Sequence, residues 1–289
     1  MELHDRGTGI RVSPIPPQPA GQNQYMGVEV RTPWLDGYVR VRFPENVMSR
    51  RGTHFLDNVQ PEVPRVSTVS APEWRLIRGR LSYRIQTPEG PGWSGQIWLG
   101  RDGAVEMEFA MGNASDTPDD LYAQICIDLS ACPTLGPSQD VTRTFAWLKG
   151  EWQPLSKVTP WKAEKAGYPW ILVMNASRGR EFNRSIEEQF PWWIADQTQE
   201  HDLIARTTRD EKWLVAVTLD RTAQYVMTNS AIPCLHSDPL RTHAPAQKGR
   251  VWRGRLYFAE NDPPTLKRRV ERERARNYPR AIDWPGVQR

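Results

Sequence analysis

The stretches Gly27-Val28-Glu29-Val30-Arg31 and Tyr38-Val39-Arg40-Val41-Arg42-Phe43 alternate apolar and charged residues with a period of two. That period belongs to a half-buried β-strand and is incompatible with an amphipathic helix, so it constrains the chain more than any other feature. The pattern returns in residues 80–86, 93–99 and 104–111. Between these stretches lie turn formers: Gly90 and Gly92, then Gly100-Arg101-Asp102-Gly103, then Gly112 to Pro118. Further apolar runs at 122–129, 143–147, 170–174, 203–207, 212–219, 224–228 and 250–258 extend the series. Roughly a dozen short strands joined by turns predict an all-β chain in which sheet packs on sheet, a large antiparallel β-sandwich.

The ends read differently. Pro14, Pro16, Pro17 and Pro19 predict an extended, proline-rich arm over residues 1–24, with the sandwich domain spanning 25–261. Asp262-Pro263-Pro264-Thr265 opens a short basic C-terminal helix over 266–277, so 262–289 is read as helix and tail. Leu266 and Val270 give that helix a thin apolar stripe, enough to dock it on the sandwich while its basic residues face solvent or a partner.

The net charge of +4 is spread along the chain, which argues against a nucleic-acid footprint. No apolar stretch approaches the ~18 residues of a membrane span, and residues 1–21 lack the apolar core of a signal peptide. A soluble, cytoplasmic protein is expected, without membrane or nucleic-acid partners and with homo-oligomerisation left open. The three cysteines, Cys126, Cys132 and Cys234, fit a reduced compartment. No glycine-rich phosphate loop lies between a strand and a helix, and no paired CxxC or HExxH spacing exists. The expectation is therefore no cofactor and no metal.

The segment Val105-Glu106-Met107-Glu108-Phe109-Ala110-Met111-Gly112-Asn113-Ala114-Ser115-Asp116-Thr117-Pro118 resembles a recurring hairpin of the galactose mutarotase-like β-supersandwich superfamily. In that hairpin an alternating strand ends in Asn and a Ser/Thr-Asp-x-Pro-type turn follows. The resemblance implies a supersandwich over about 25–260 with a sugar-binding face. The local motifs around the mutarotases' acid histidine and base glutamate are not found in this sequence, so it implies fold and ligand class rather than mutarotation.

Two polar clusters interrupt the strand pattern. Ile232-Pro233-Cys234-Leu235-His236-Ser237-Asp238-Pro239 holds a thiol, an imidazole and a carboxylate between prolines, which predicts a loop at a strand end. On an extended backbone Cys234, His236 and Asp238 share one face, so Asp238 can orient His236. The same face permits a Cys/His/Asp metal set completed by His54 or His243, against the simpler reading of a buried structural Cys234. Arg50-Arg51-Gly52-Thr53-His54-Phe55-Leu56-Asp57 is the second cluster. Arg51 and Asp57 are candidate substrate contacts, and His54 a candidate acid/base group.

Trp192 and Trp193 follow Glu187 and Arg184 in an aromatic-rich stretch, and indole faces stack on sugar rings. The chain is thus expected to bind a mono- or oligosaccharide, neutral or acidic, in a cleft of tryptophan and arginine. If it is catalytic, His54, His236 and Asp238 would carry epimerase, lyase or hydrolase chemistry by proton transfer. The alternative is a non-catalytic carbohydrate-binding or protein-interaction scaffold.

Overall fold

The computed structural model describes residues 1–18, 24–57, 65–67, 69, 72–136, 141–158, 170–174, 192–194, 197–219, 225–229, 232–238, 240–274 and 280–284. In chain order the strands are β1 (Leu3–His4), β2 (Arg11–Pro14), β3 (Gly27–Arg31), β4 (Val39–Ser49), β5 (Gly52–Leu56), β6 (Arg75–Ile77) and β7 (Arg80–Gln86). Next come β8 (Pro91–Leu99), β9 (Val105–Asn113), β10 (Asp119–Asp128), β11 (Thr144–Leu148), β12 (Glu151–Pro154), β13 (Trp170–Met174) and β14 (Trp192–Ile194). The series closes with β15 (Gln199–Thr207), β16 (Trp213–Thr218), β17 (Tyr225–Asn229), β18 (Cys234–Asp238), β19 (Leu240–Ala244), β20 (Lys248–Glu260), helix α1 (Pro263–Arg274) and β21 (Arg280–Asp283).

These strands form two sheets. The larger runs β1-β2-β3-β4-β10-β18-β17-β13-β14, with β5 beside β4 and β19 beside β10. The other runs β12-β11-β15-β16-β20-β9-β8-β7-β6, with β21 beside β20. Neighbours are antiparallel except β13 and β14. The alternation decides which residues meet between the sheets. Val39, Val41 and Phe43 of β4 and Ile125 and Ile127 of β10 share one core with Leu81, Ile97, Met107 and Phe109 of the second sheet. Phe43 and Phe109 meet edge to face at 5.5 Å across the interface. The Tyr83 hydroxyl donates to the Phe43 carbonyl at 2.5 Å, and burial pushes its phenol up. The expected all-β sandwich with a short terminal helix is therefore the observed architecture.

The ends are more integrated than the sequence suggests. Residues 1–24 contribute β1 and β2, which extend the larger sheet through β3, and Ile10, Val12 and Ile15 are buried. The prolines mark where β2 stops, at Pro14, rather than excluding the segment from the sheet. At the other end, β21 pairs with β20, and Trp284 covers the outer face of the second sheet. Its ring lies where Gly92 and Gly112 pair across β8 and β9; a Cβ at Gly112 would collide with it. Gly92 is thus a strand residue, not the turn residue expected, because a flat indole needs bare backbone beneath it. Asn113 ends its strand as anticipated, accepting from the Ser115 amide at 3.0 Å and donating to the Thr117 carbonyl at 2.6 Å.

Helix α1 starts at a side-chain cap, with Asp262 Oδ1 accepting from the Thr265 amide at 3.1 Å. Leu266 and Val270 pack on Leu203, Ala205, Leu214, Ala216 and Tyr257. Around this seam Arg255 pairs with Glu106 and, at 2.6 Å, with Glu273, while Arg269 reaches Asp102 at 2.7 Å. No described helix is long and apolar enough to cross a membrane. Because Leu266 is one of two buried apolar anchors of α1, Leu266→Ala should lower the unfolding free energy in urea by about 2–5 kcal/mol. Arg272→Ala on the exposed side should change it by no more than about 0.5 kcal/mol.

Candidate functional site

The sequence-predicted residues fall into two separate clusters. The first is built at the β4–β5 hairpin. His54 is fully buried, with Nδ1 2.7 Å from Ser67 Oγ and Nε2 2.8 Å from Ser49 Oγ. Ser67 donates to Glu89 Oε2 at 2.6 Å, so its oxygen is left to accept from His54 Nδ1–H, and Nε2 then accepts from Ser49. This Glu89–Ser67–His54–Ser49 chain fixes the tautomer and polarises the Ser49 hydroxyl, the pattern of a base beside a hydroxyl. Burial lowers the His54 pKa, overcoming the opposing pull of Glu89 and Asp119. Arg51 is exposed and donates to the Glu89 carbonyl at 2.8 Å.

The second cluster lies on the face of the larger sheet that points away from the core. Leu235 faces the core, so its neighbours Cys234 and His236 face outward. They therefore sit in a strand, β18, rather than in the loop expected; the prolines only bracket it. On β10 the outward residues are Gln124, Cys126 and Asp128; Cys126 stands opposite Arg42 and Gln124 opposite Asn46. Between those two pairs β4 carries extra residues, a bulge that turns Glu45 onto the same face.

Arg42 gathers three carboxylates. Its guanidinium is 3.0 Å from Asp128, 3.1 Å from Glu45 and 3.5 Å from Asp57. Burial opposes its charge, but the anionic groups around it, Asp57, Asp128 and Glu45 among them, outweigh that and raise its pKa. Tyr25 stacks over both Arg42 and Arg40, and Arg40 reaches Asp128 at 3.4 Å. Asn46 donates to Gln124 at 2.6 Å, and Gln124 to the Tyr225 hydroxyl at 3.3 Å. His236 is fully buried, with Nε2 4.0 Å from Glu45 Oε2.

Asp57 and His236 thus share one network, while Arg51 and His54 share the other. The two histidines have no neighbour in common among the contacts described, and each is buried rather than facing an open cleft. The Asp238 side chain and those of Trp192 and Trp193 lie outside the described residues, as do Arg184 and Glu187 altogether. The backbone of β14 puts Trp192 and Trp193 at the edge of the larger sheet. His243 is exposed and bonds Asp120 at 2.8 Å, in neither cluster.

An open cleft forms where the sequence reading did not look. It encloses about 360 Å³ and is lined by Trp34, Asp36, Pro133, Thr134, Thr208, Arg209, Asp210 and Trp213. Trp34 and Trp213 stack at 4.9 Å with 17° between their planes, both half-buried. Asp210 accepts from the Thr208 hydroxyl at 2.6 Å and the Lys212 amide at 3.2 Å, which hold its carboxyl below the usual range. Thr134 Oγ1 accepts from the Asp36 amide at 3.3 Å.

No family model and no curated protein matches the sequence. Among solved structures, the Slr1438 protein from Synechocystis sp. PCC 6803 is similar over 90% of this chain and 95% of that one, at 11% identity and a TM-score of 0.47.

The His54 ring gives a signed pH dependence. Its folded pKa lies below the unfolded value of 6.5, so as pH falls through 6.5 the unfolded chain takes up the proton first. Stability from this group is complete above 6.5 and declines below it. Chemical denaturation of wild type and His54→Gln across about pH 5–7.5 should show a steeper acid loss in wild type. Parallel curves would contradict the assignment.

Proposed function

We propose that the protein binds a neutral saccharide in the Trp34/Trp213 cleft. The observation that carries this reading is a stacked tryptophan pair, Trp34 on Trp213, beside a rim of carboxylates, hydroxyls and one guanidinium in an open space of about 360 Å³. Indole faces cover the C–H side of a sugar ring, while Asp and Thr oxygens accept from its hydroxyls and Arg209 donates. A volume of this size lies in the range typical of small-molecule sites. The hairpin ending in Asn113, with its resemblance to a sugar-binding superfamily, supports the same ligand class.

Charge favours a neutral sugar over an acidic one. Asp36 and Asp210 are answered by Arg209 in the lining and by Lys212, 3.8 Å from Asp210, so the rim offers no excess positive charge to hold a uronate. The reading is one of binding, because the cleft lining contains no histidine and the buried His54 and His236 lie in other clusters. The scaffold alternative draws less support. Arg269 of the basic helix is engaged with Asp102, and Lys267 lies 4.2 Å over the Trp147 ring.

A thermal-shift screen against neutral sugars, uronic acids and oligosaccharides tests this. A neutral sugar should raise the apparent stability saturably, by about 2.7 kcal/mol at a hundredfold excess over its dissociation constant. Trp213→Ala should abolish the shift while the unliganded protein still unfolds cooperatively. No shift at millimolar concentrations, or equal binding of uronates, would contradict the proposal.

A further inference from the structure

The outward face of the larger sheet contains a second kind of chemistry, independent of the cleft. Cys126 on β10 and Cys234 and His236 on β18 bring two sulfurs and a ring nitrogen within 4.8 Å of one another, all three residues buried. They meet because the β10–β18 ladder pairs Ile127 with Leu235 and Asp128 with Cys234, which puts the next outward residues, Cys126 and His236, side by side. Glu45, carried there by the β4 bulge, points a carboxylate oxygen at the same imidazole from 4.0 Å. We infer that Cys126, Cys234 and His236 hold a divalent transition metal of the zinc class, with the fourth position on the side of Glu45.

The donor set selects the ion. Thiolate and imidazole suit zinc and its borderline-soft neighbours, whereas magnesium and calcium want oxygen cages. A tetrahedral zinc with bonds of about 2.0–2.3 Å separates its ligand atoms by somewhat under 4 Å, so side-chain rotations of an ångström or less close the set. All three cysteines are free of disulfides. Binding M²⁺ to the two thiols breaks two S–H bonds, forms two metal–sulfur bonds and releases two protons to solvent, with no change of oxidation state. The charge of M²⁺ offsets the two thiolates, and Glu45 already faces Arg42 at 3.1 Å. The sequence reading looked to His54 or His243 to complete such a set. The structure supplies Cys126 instead, from a strand remote in sequence.

None of these residues lines the saccharide cleft, so metal and sugar binding succeed or fail separately. The test uses the full chain, reduced, loaded with zinc and dialysed, then measured by elemental analysis. About one equivalent should remain, and cobalt loading should produce thiolate-to-cobalt charge-transfer absorption. Cys126→Ser and Cys234→Ser should each lose the zinc and the absorption, while Cys132→Ser, whose sulfur lies 3.2 Å from Thr134 Oγ1, keeps both. Wild-type protein that retains under about a tenth of an equivalent overturns the site without recourse to any variant. Full retention in Cys126→Ser overturns it equally.

Discussion

Arg42 is the residue on which the outer face of the larger sheet depends. A guanidinium this deeply buried is tolerable only if its charge is answered, since an unpaired buried ion costs several kcal/mol. Its three carboxylates come from three places: the β4 bulge through Glu45, the end of β5 through Asp57, and the end of β10 through Asp128. One side chain thereby fixes where β4 departs from its partner and where the chain leaves β5. Burial of the ions also makes the network a weak source of net stability and a strong source of specificity, because misplacing Arg42 strands the buried carboxylates gathered around it.

The same strand serves both faces. Phe43, next to Arg42, points inward to Phe109 and offers its carbonyl to Tyr83, so the polar face and the apolar core are locked by adjacent residues. The bulge that follows is what lets Glu45 join Arg42 and approach His236. Positioning Cys126 opposite Arg42 gives a buried thiol a permanent cation beside it, which is why the sulfur cluster and the ion network form one polar layer.

Much of the fold was legible because period-two alternation is a local signal: β3 and β7 can be drawn from it to the residue and β8 and β9 nearly so, whereas β4 runs on past Phe43 through the bulge to Ser49. The N-terminal strands were not, since Pro14 to Pro19 mask the short pairings beside them, and strand edges depend on what lies across the sheet. The sites were harder for a related reason. Arg42 and Asp128 are far apart in sequence, and in an alternating strand Arg42 looks like one more solvent-facing charge. Cys126 carried a usable hint, being a thiol at an outward position of β10, but its partners are set by register, which sequence does not state. Trp34 and Trp213 meet only through tertiary packing, so nothing in their spacing marks them as a pair.

The most direct test of Arg42 as the organising charge is a double-mutant cycle in chemical denaturation, pairing Arg42→Met with Asp128→Asn. Arg42→Met alone should lose about 3–5 kcal/mol, because it strands buried carboxylates. The pair should be non-additive by more than about 1 kcal/mol, since Asp128→Asn relieves part of that penalty. Additivity within about 0.5 kcal/mol, or an Arg42→Met protein as stable as wild type, would contradict the account.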